Sequence, residues 1–255
     1  MLLAASALKG YSVEALDGAI GIVKDLLFDD RTWQIKWLVV QAGNWLVDRK
    51  VLVHPSAVDD FDDDRQTLNV SLTRIQVKAG PPLSTDQPVS RQHEIETYGY
   101  YGWDPLWCDD MYGSMMLGKM AGPPRYCGSK ERYDDLGPGN VDGESDPHLR
   151  SFSAVKDYHV QASDGDMGHT ANLLIDNVQW GVRYLIVETS NWWMGKQVLM
   201  APYAISSISW LDRTVYLDVT QAEVKASPEW DPATAIVENY QHGLHKHYGW
   251  GSYGW

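Results

Sequence analysis

The residues of this 255-residue chain that could do chemistry are few, and they gather in two places. The first is the acidic run DDFDDD, Asp59 to Asp64, whose carboxylates are the hard oxygen ligands that calcium and magnesium prefer. The run lacks the D-x-D-x-D-G spacing and terminal glutamate of a helix–loop–helix calcium site, so a solvated acidic loop is the expectation. The second is QHGLHKHYGW, where His242, His245 and His247 offer imidazoles suited to zinc or copper. Only His242 and His245 have the i, i+3 spacing of one helix face, and Gly243 between them weakens a helix. Exposed histidines without a ligand are therefore expected. Cys108 and Cys127 are the only cysteines and stand far from C-x-x-C spacing, which makes them free thiols rather than a zinc knuckle or a redox pair. The chain contains no GxSxG, HExxH or GxxxxGK[ST], so no residue is nominated for catalysis, cofactor binding or metal binding, and no cofactor is expected.

Bulk composition narrows the partners. A formal charge of −13 repels nucleic-acid backbones, whose binding rests on clustered Lys and Arg releasing counterions. No apolar run approaches the roughly 20 residues that a bilayer requires, and the N-terminal MLLAASALKGYSV lacks a basic leader region, so a cytoplasmic protein without direct membrane insertion is expected. Aromatic usage is skewed: 12 Trp and 14 Tyr against 3 Phe. Rings with a polar handle suit surfaces that are half buried or shared with a partner.

The elements that must position these residues come in two copies. Shifting the sequence by 147 positions aligns Leu8 to Trp103 with Val155 to Trp250 without a gap. Asp17-Gly18 falls on Asp164-Gly165, Gly21 on Gly168, Leu26-Leu27 on Leu173-Leu174, Trp33 on Trp180, Asn44-Trp45 on Asn191-Trp192, and Tyr101-Gly102-Trp103 on Tyr248-Gly249-Trp250. Within a copy the pattern is that of strands. Trp33, Ile35, Trp37 and Val39 alternate with polar Gln34 and Lys36, and Trp180, Val182, Tyr184 and Ile186 repeat the alternation. The LVV and LIV segments that follow are apolar on both parities, which predicts a cover on the strand's second face. The Asp-Gly pairs predict tight hairpin turns. Six or so short strands with no long helix predict a small closed or nearly closed barrel in each copy, a fold of the all-β class.

The order of features resembles the PRC-barrel family, which is known from the soluble part of the H subunit of purple bacterial photosynthetic reaction centres and from the C-terminal domain of ribosome maturation factors. The resemblance is carried by LKGYSV, the DG turn, IGIVKDLLFDD, WLVV and RKVLVHPSAV in the first copy, and by MGHTANLLIDN, YLIVET and QVLMAPYAI in the second. It implies a non-catalytic β-barrel used for docking and assembly. Two further roles follow from the same resemblance: a regulator or accessory subunit of a membrane redox or photosynthetic complex, and a ribosome-assembly factor.

The expected organisation is two small PRC-type barrels in tandem, residues 1–81 and 151–228, each followed by a short helix and an aromatic Tyr/Gly/Trp arm, residues 82–103 and 229–255. A Gly-, Pro- and Asp-rich linker spans 104–150. Ser90 is the expected cap of the first helix; Asp231, with Pro232 at the first turn, is the expected cap of the second, over Ala233 to Gln241. An arm so rich in rings and glycine has no core of its own and gains only by docking on a surface, either of its own chain or of a neighbouring one. The candidate interaction residues are Tyr98, Tyr100, Tyr101, Trp103, Trp107, Tyr248, Trp250, Tyr253 and Trp255, with Trp45, Trp192 and Trp193 at the hairpin turns as second candidates. The partner class is protein, including a second copy of the chain in a homo-oligomer or array.

Overall fold

The computed structural model describes residues 1–46, 49–81, 91–103, 148–189, 196–228, 230–231 and 236–250. The first copy contains β1 (Leu2–Ala4), α1 (Ala5–Leu8), β2 (Ser12–Ala15), β3 (Gly18–Asp29), β4 (Ile35–Ala42), β5 (Lys50–Val53), β6 (Val58–Asp62), β7 (Thr67–Val70), α2 (Arg74–Ala79) and α3 (Arg91–Tyr101). The second repeats it: β8 (Leu149–Ser151), α4 (Phe152–Val155), β9 (His159–Ala162), β10 (Gly165–Asp176), β11 (Val182–Thr189), β12 (Gln197–Met200), β13 (Ile205–Ser209), β14 (Thr214–Leu217), α5 (Gln221–Ala226) and α6 (Glu238–Tyr248). The register of 147 holds for every one of these elements and extends the repeat upstream to Leu2 and Leu149.

Each sheet has seven strands, of which six are its own. The orders are β5-β4-β3-β2-β7-β6 and β12-β11-β10-β9-β14-β13. The seventh strand is exchanged: β8 pairs with β3, and β1 pairs with β10. The length of β3 explains this. On one edge, its start pairs with β2 through Gly18 to Ile22, while Leu27 to Asp29 of the same edge would be left open without β8. An open edge invites pairing, and here the other copy supplies the strand. Residues 2–4, placed with the first copy by the repeat, thus lie in the sheet of the second, and residues 149–151 in that of the first.

Neither sheet closes, in contrast to the closed or nearly closed barrel expected. The two ends of the first path, β5 and β6, are consecutive in the chain and are joined by a 3-10 turn at Pro55–Ala57 instead of a ladder. Pro55 has no N–H to give to such a ladder. Pro202 starts the same turn in the second copy.

The alternation read from the sequence also breaks once per copy. A β-bulge lies where Leu27 opposes Trp37 and Phe28 opposes Ile35. It reverses parity at Lys36, so Ile35 packs inside the barrel with Phe28, whereas Trp37 and Val39 join a separate cluster on the outer face with Leu27, Leu52 and Tyr98. Trp33, expected on the same face as Trp37, packs instead against the interior, stacked on Phe28 at 5.3 Å. The cover expected over the LVV face is the arm that begins with α3. At the other end of the hairpin, a Cβ on Gly21 would stand 1.9 Å from the carbonyl oxygen of Gln41, so only glycine permits the β3–β4 approach there.

The copies meet about a pseudo-two-fold axis. The amide of Ile35 donates to the carbonyl of Trp180 (2.8 Å), and its counterpart Val182 donates to Trp33 (2.7 Å). Both tryptophans have left-handed backbones (φ 57° and 56°), a conformation that costs a side-chain-bearing residue about 1–2 kcal/mol and that turns each carbonyl toward the other copy. Around the exchanged strands, Asp25 accepts from Ser151 Oγ, Ser153 Oγ and the Ser153 amide, while its counterpart Asn172 bonds the amide and hydroxyl of Ser6. One apolar cluster of buried residues runs through both interiors. No helix among the described residues is long and apolar enough to cross a membrane.

Candidate functional site

Both arms, as far as they are described, dock on their own copy. In the first, α3 lies across the outer face of β4, where Trp37 Nε1 donates to the buried Glu94 carboxylate at 2.5 Å and the Trp37 and Tyr98 rings lie 4.8 Å apart. The chain then turns so that Trp103 N–H bonds the Tyr98 carbonyl (3.1 Å) and Trp103 stacks on Tyr101 at 4.2 Å and 14°. In the second copy, Trp250 N–H bonds the His245 carbonyl (2.9 Å) and Trp250 stacks on Tyr248 at 4.3 Å and 17°. Tyr98 is buried, and Tyr101, Trp103, Tyr248 and Trp250 are half-buried. Tyr100 is exposed and its hydroxyl donates to the Gln76 carbonyl at 3.1 Å. Trp107, Trp192, Trp193, Tyr253 and Trp255 lie outside the described residues, as do Ser90, Cys108 and Cys127.

The second arm's helix corrects two expectations. It starts at Glu238 with Val237 as N-cap, not after Asp231, and it runs through Gly243 to Tyr248. Packing overrides local propensity: Leu244 and His245 are buried against the second sheet, and this offsets the roughly 1 kcal/mol that an interior glycine costs. His245 is consumed by that packing, with Tyr184 Oη 2.8 Å from its Nε2 and Tyr203 Oη 3.1 Å from the ring nitrogens. His242 is exposed, and His247 Nε2 lies 2.8 Å from the Glu223 carbonyl. Among the described residues, no three or more His, Cys, Asp or Glu side chains are grouped to hold a metal ion. Asp59 to Asp64 form the acidic edge strand β6 and the turn after it, with Asp62 paired to Arg65 and the Tyr11 hydroxyl donating to Asp63. Burial and that carboxylate push the Tyr11 hydroxyl up to about 12.

Beneath the first arm, His54 is fully buried with Ser56 Oγ 2.7 Å from its Nδ1. Burial, reinforced by the Lys36 charge, pushes its imidazole down to about 3, so it is neutral at physiological pH. Its counterpart is Ala201. Burial likewise raises the phenols of Tyr101, Tyr240 and Tyr248 to about 12 and that of Tyr184 further. Packing holds these groups in their neutral states.

Three exposed apolar side chains of the first copy, Leu16, Ile75 and Tyr100, lie on α2 or next to it. Thr73 and Gln76 form a capping box that starts this helix, and its first amide, Arg74 N–H, also bonds Asp17 of the DG turn at 2.6 Å. Trp45 is pinned by its Nε1 to the Ile20 carbonyl (2.8 Å), and the Arg74 guanidinium lies 4.5 Å over its ring. Asp17, Trp45, Arg74, Ile75 and Lys78 enclose a shallow hollow of about 330 Å³. Leu16 and Ile75 beside it are 72% and 76% exposed. The sequence reading nominated Trp45 and Tyr100 but missed Leu16, Arg74 and Ile75; the T-x-x-Q capping signature at Thr73 was the signal for the helix that presents two of them.

Comparison with known families matches residues 2–74 to the PRC-barrel domain. Comparison with curated proteins finds no match.

Proposed function

We propose, from the match of residues 2–74 to the PRC-barrel domain, that the protein is a non-enzymatic interaction module. Its binding face is the exposed end of the first unit, formed by Leu16, Trp45, Ile75 and Tyr100 around the cations Arg74 and Lys78. The observation that carries this reading is the pair of exposed aliphatic side chains set beside a tryptophan held rigid from below. A preorganised ring flanked by unburied aliphatic groups and an arginine is the composition of a contact that gains energy only when a partner covers it. The second unit has Gln221 and Ala222 where the first has Arg74 and Ile75, so the face is a property of one unit and not of the repeat. Assembly is then with protein, either a second copy or another chain.

The test is light scattering of the full chain at physiological salt over a range of concentrations, with Leu16→Glu/Ile75→Glu as the comparison. Association of the native chain that is weakened at least tenfold in the double variant supports self-assembly through this face. Association that is indifferent to the double variant removes the face. For a foreign partner, the same pair of proteins is compared in crosslinking from the native cell, and a partner captured equally by both overturns the reading.

A further inference from the structure

The pseudo-two-fold axis creates two equivalent crevices between the units, and only one of them is sealed. In the sealed crevice, Arg150 Nε bonds Asp30 Oδ2 at 2.8 Å, the same guanidinium lies 4.0 Å over Trp210, and His148 Nδ1 sits 3.0 Å from Asp30 Oδ1. The residues at the equivalent places in the other crevice are Leu3, Asn177, Asp63 and Met1, which cannot make that bridge. There a cleft of about 580 Å³ stands between β6 and the Asn177–Trp180 turn of the second unit.

We propose that this open crevice binds an extended, cationic segment of a partner protein, which adds a strand to β6. Three features carry the inference. First, β6 is the end of its sheet and pairs among the described strands with β7 alone, so the main-chain groups of its other edge lie outside any ladder. A strand end of this kind is the template that an added peptide strand uses. Second, the cleft walls combine two characters: Val58, Phe61, Val178 and Trp180 supply apolar surface, while the exposed carboxylates of Asp59 and Asp60 supply negative charge. Third, Asn177 lines the cleft and its Oδ1 is buried with no hydrogen-bond partner among the described residues, so turning the side chain to meet an incoming N–H would break no hydrogen bond at that oxygen.

Charge selects the occupant. Aspartates on an edge strand normally keep sheets from pairing with one another, and in a chain of net charge −13 they reject a second copy of this protein. The same carboxylates favour a strand whose outward side chains are Lys or Arg, with apolar side chains between them to meet Val58 and Phe61. The second unit's edge strand carries Ser206 and Ser207 where β6 has Asp59 and Asp60, so it provides an internal control. This surface is separate from the one around Trp45 and stands or falls independently of it.

The test is a titration of the 15N-labelled full chain, in 100 mM salt, with a capped octapeptide alternating Lys and Val and with the same peptide carrying Glu for Lys. The Lys peptide is expected to shift the amides of Val58–Asp62 and Asn177–Trp180 and to slow hydrogen exchange along Asp59–Asp62. Asp59→Lys/Asp60→Lys, at exposed positions where the fold is checked by the same spectra, weakens binding at least tenfold. Ser206→Lys/Ser207→Lys leaves it unchanged. The proposal is overturned by absence of binding at millimolar peptide, by equal binding of the Glu peptide, by shifts spread over the acidic surface, or by equal binding of the Asp59/Asp60 variant. Shifts collected around Ile75 and Trp45 would remove the crevice and leave the proposed interaction face standing.

Discussion

The two arm-covered faces occupy the same place in the two copies and are built on different polar centres. In the first copy, the ring at the heart of the face is Trp37, which donates to the buried Glu94 carboxylate and leans on His54 and Tyr98. In the second copy, the same positions hold Tyr184, Gln241, Ala201 and His245, and the central bond runs between Tyr184 and His245. The helices above them, α3 and α6, nevertheless match residue for residue in register. Backbone geometry is therefore set by the apolar contacts both faces share, including the stacked Tyr101–Trp103 and Tyr248–Trp250 pairs, whereas the buried polar groups differ between them. The first face buries a carboxylate and a neutral imidazole; the second buries only an imidazole between phenols. The first should be the more brittle.

The largest effect expected from that difference is at the central ring. Trp37→Ala should lower stability by about 3–5 kcal/mol, the usual cost of removing a buried indole, and it also strips the Glu94 carboxylate of an N–H donor. Tyr184→Ala removes a smaller ring and leaves the His245 imidazole behind, so its cost should be lower. Urea denaturation of the two variants measures the gap, and equal losses would show that the polar partner adds nothing to the ring's contribution.

Acid is the next lever, and its sign follows from His54. The imidazole is pushed down to about 3 in the folded chain against about 6.5 when unfolded, so between these values the unfolded state holds a proton that the folded state does not. Stability from this group is complete above about pH 6.5 and is lost as pH falls toward 3, at a slope on the order of 1 kcal/mol per pH unit. His54→Ala, which installs the residue found in the second copy, should flatten this part of the pH–stability curve. A slope that survives the substitution would mean that other groups carry it.

How much of this was legible in the sequence depends on which interactions set each feature. The register of 147, the DG turns and the cover on the second face of β4 were readable because they are written in local pattern: turn dipeptides, and apolar residues on both parities of LVV. The partner of β1 was not. Leu2–Ala4 is three residues long, and a period of two states that a segment is a strand without saying whose edge it joins. The bulge at Lys36 was hidden for a related reason, since Trp33, Ile35, Trp37 and Val39 give the same alternation with or without a parity reversal. The residues of the proposed face were half legible. Tyr100 and Trp45 stood out as rings, but Ile75 reads as an ordinary apolar helix position until the structure shows it facing solvent.

The smallest effect concerns the one weakness the two arm helices share. Gly99, in the last turn of α3, and Gly243, in the middle of α6, each have helical neighbours on both sides, and a Cβ at either would meet nothing within 4 Å. Neither has the positive φ that would forbid alanine. Glycine there serves no turn or close approach and only enlarges the entropy of the unfolded chain, so Gly99→Ala and Gly243→Ala should each stabilise the protein by about 0.5–1 kcal/mol. The gains should add when the two changes are combined, because the helices lie on opposite units and share no side-chain contact among those described. If the combined gain falls short of the sum in thermal or urea unfolding, the arms are coupled through the pseudo-two-fold interface, and the two faces would have to be treated as one cooperative unit instead of two independent covers.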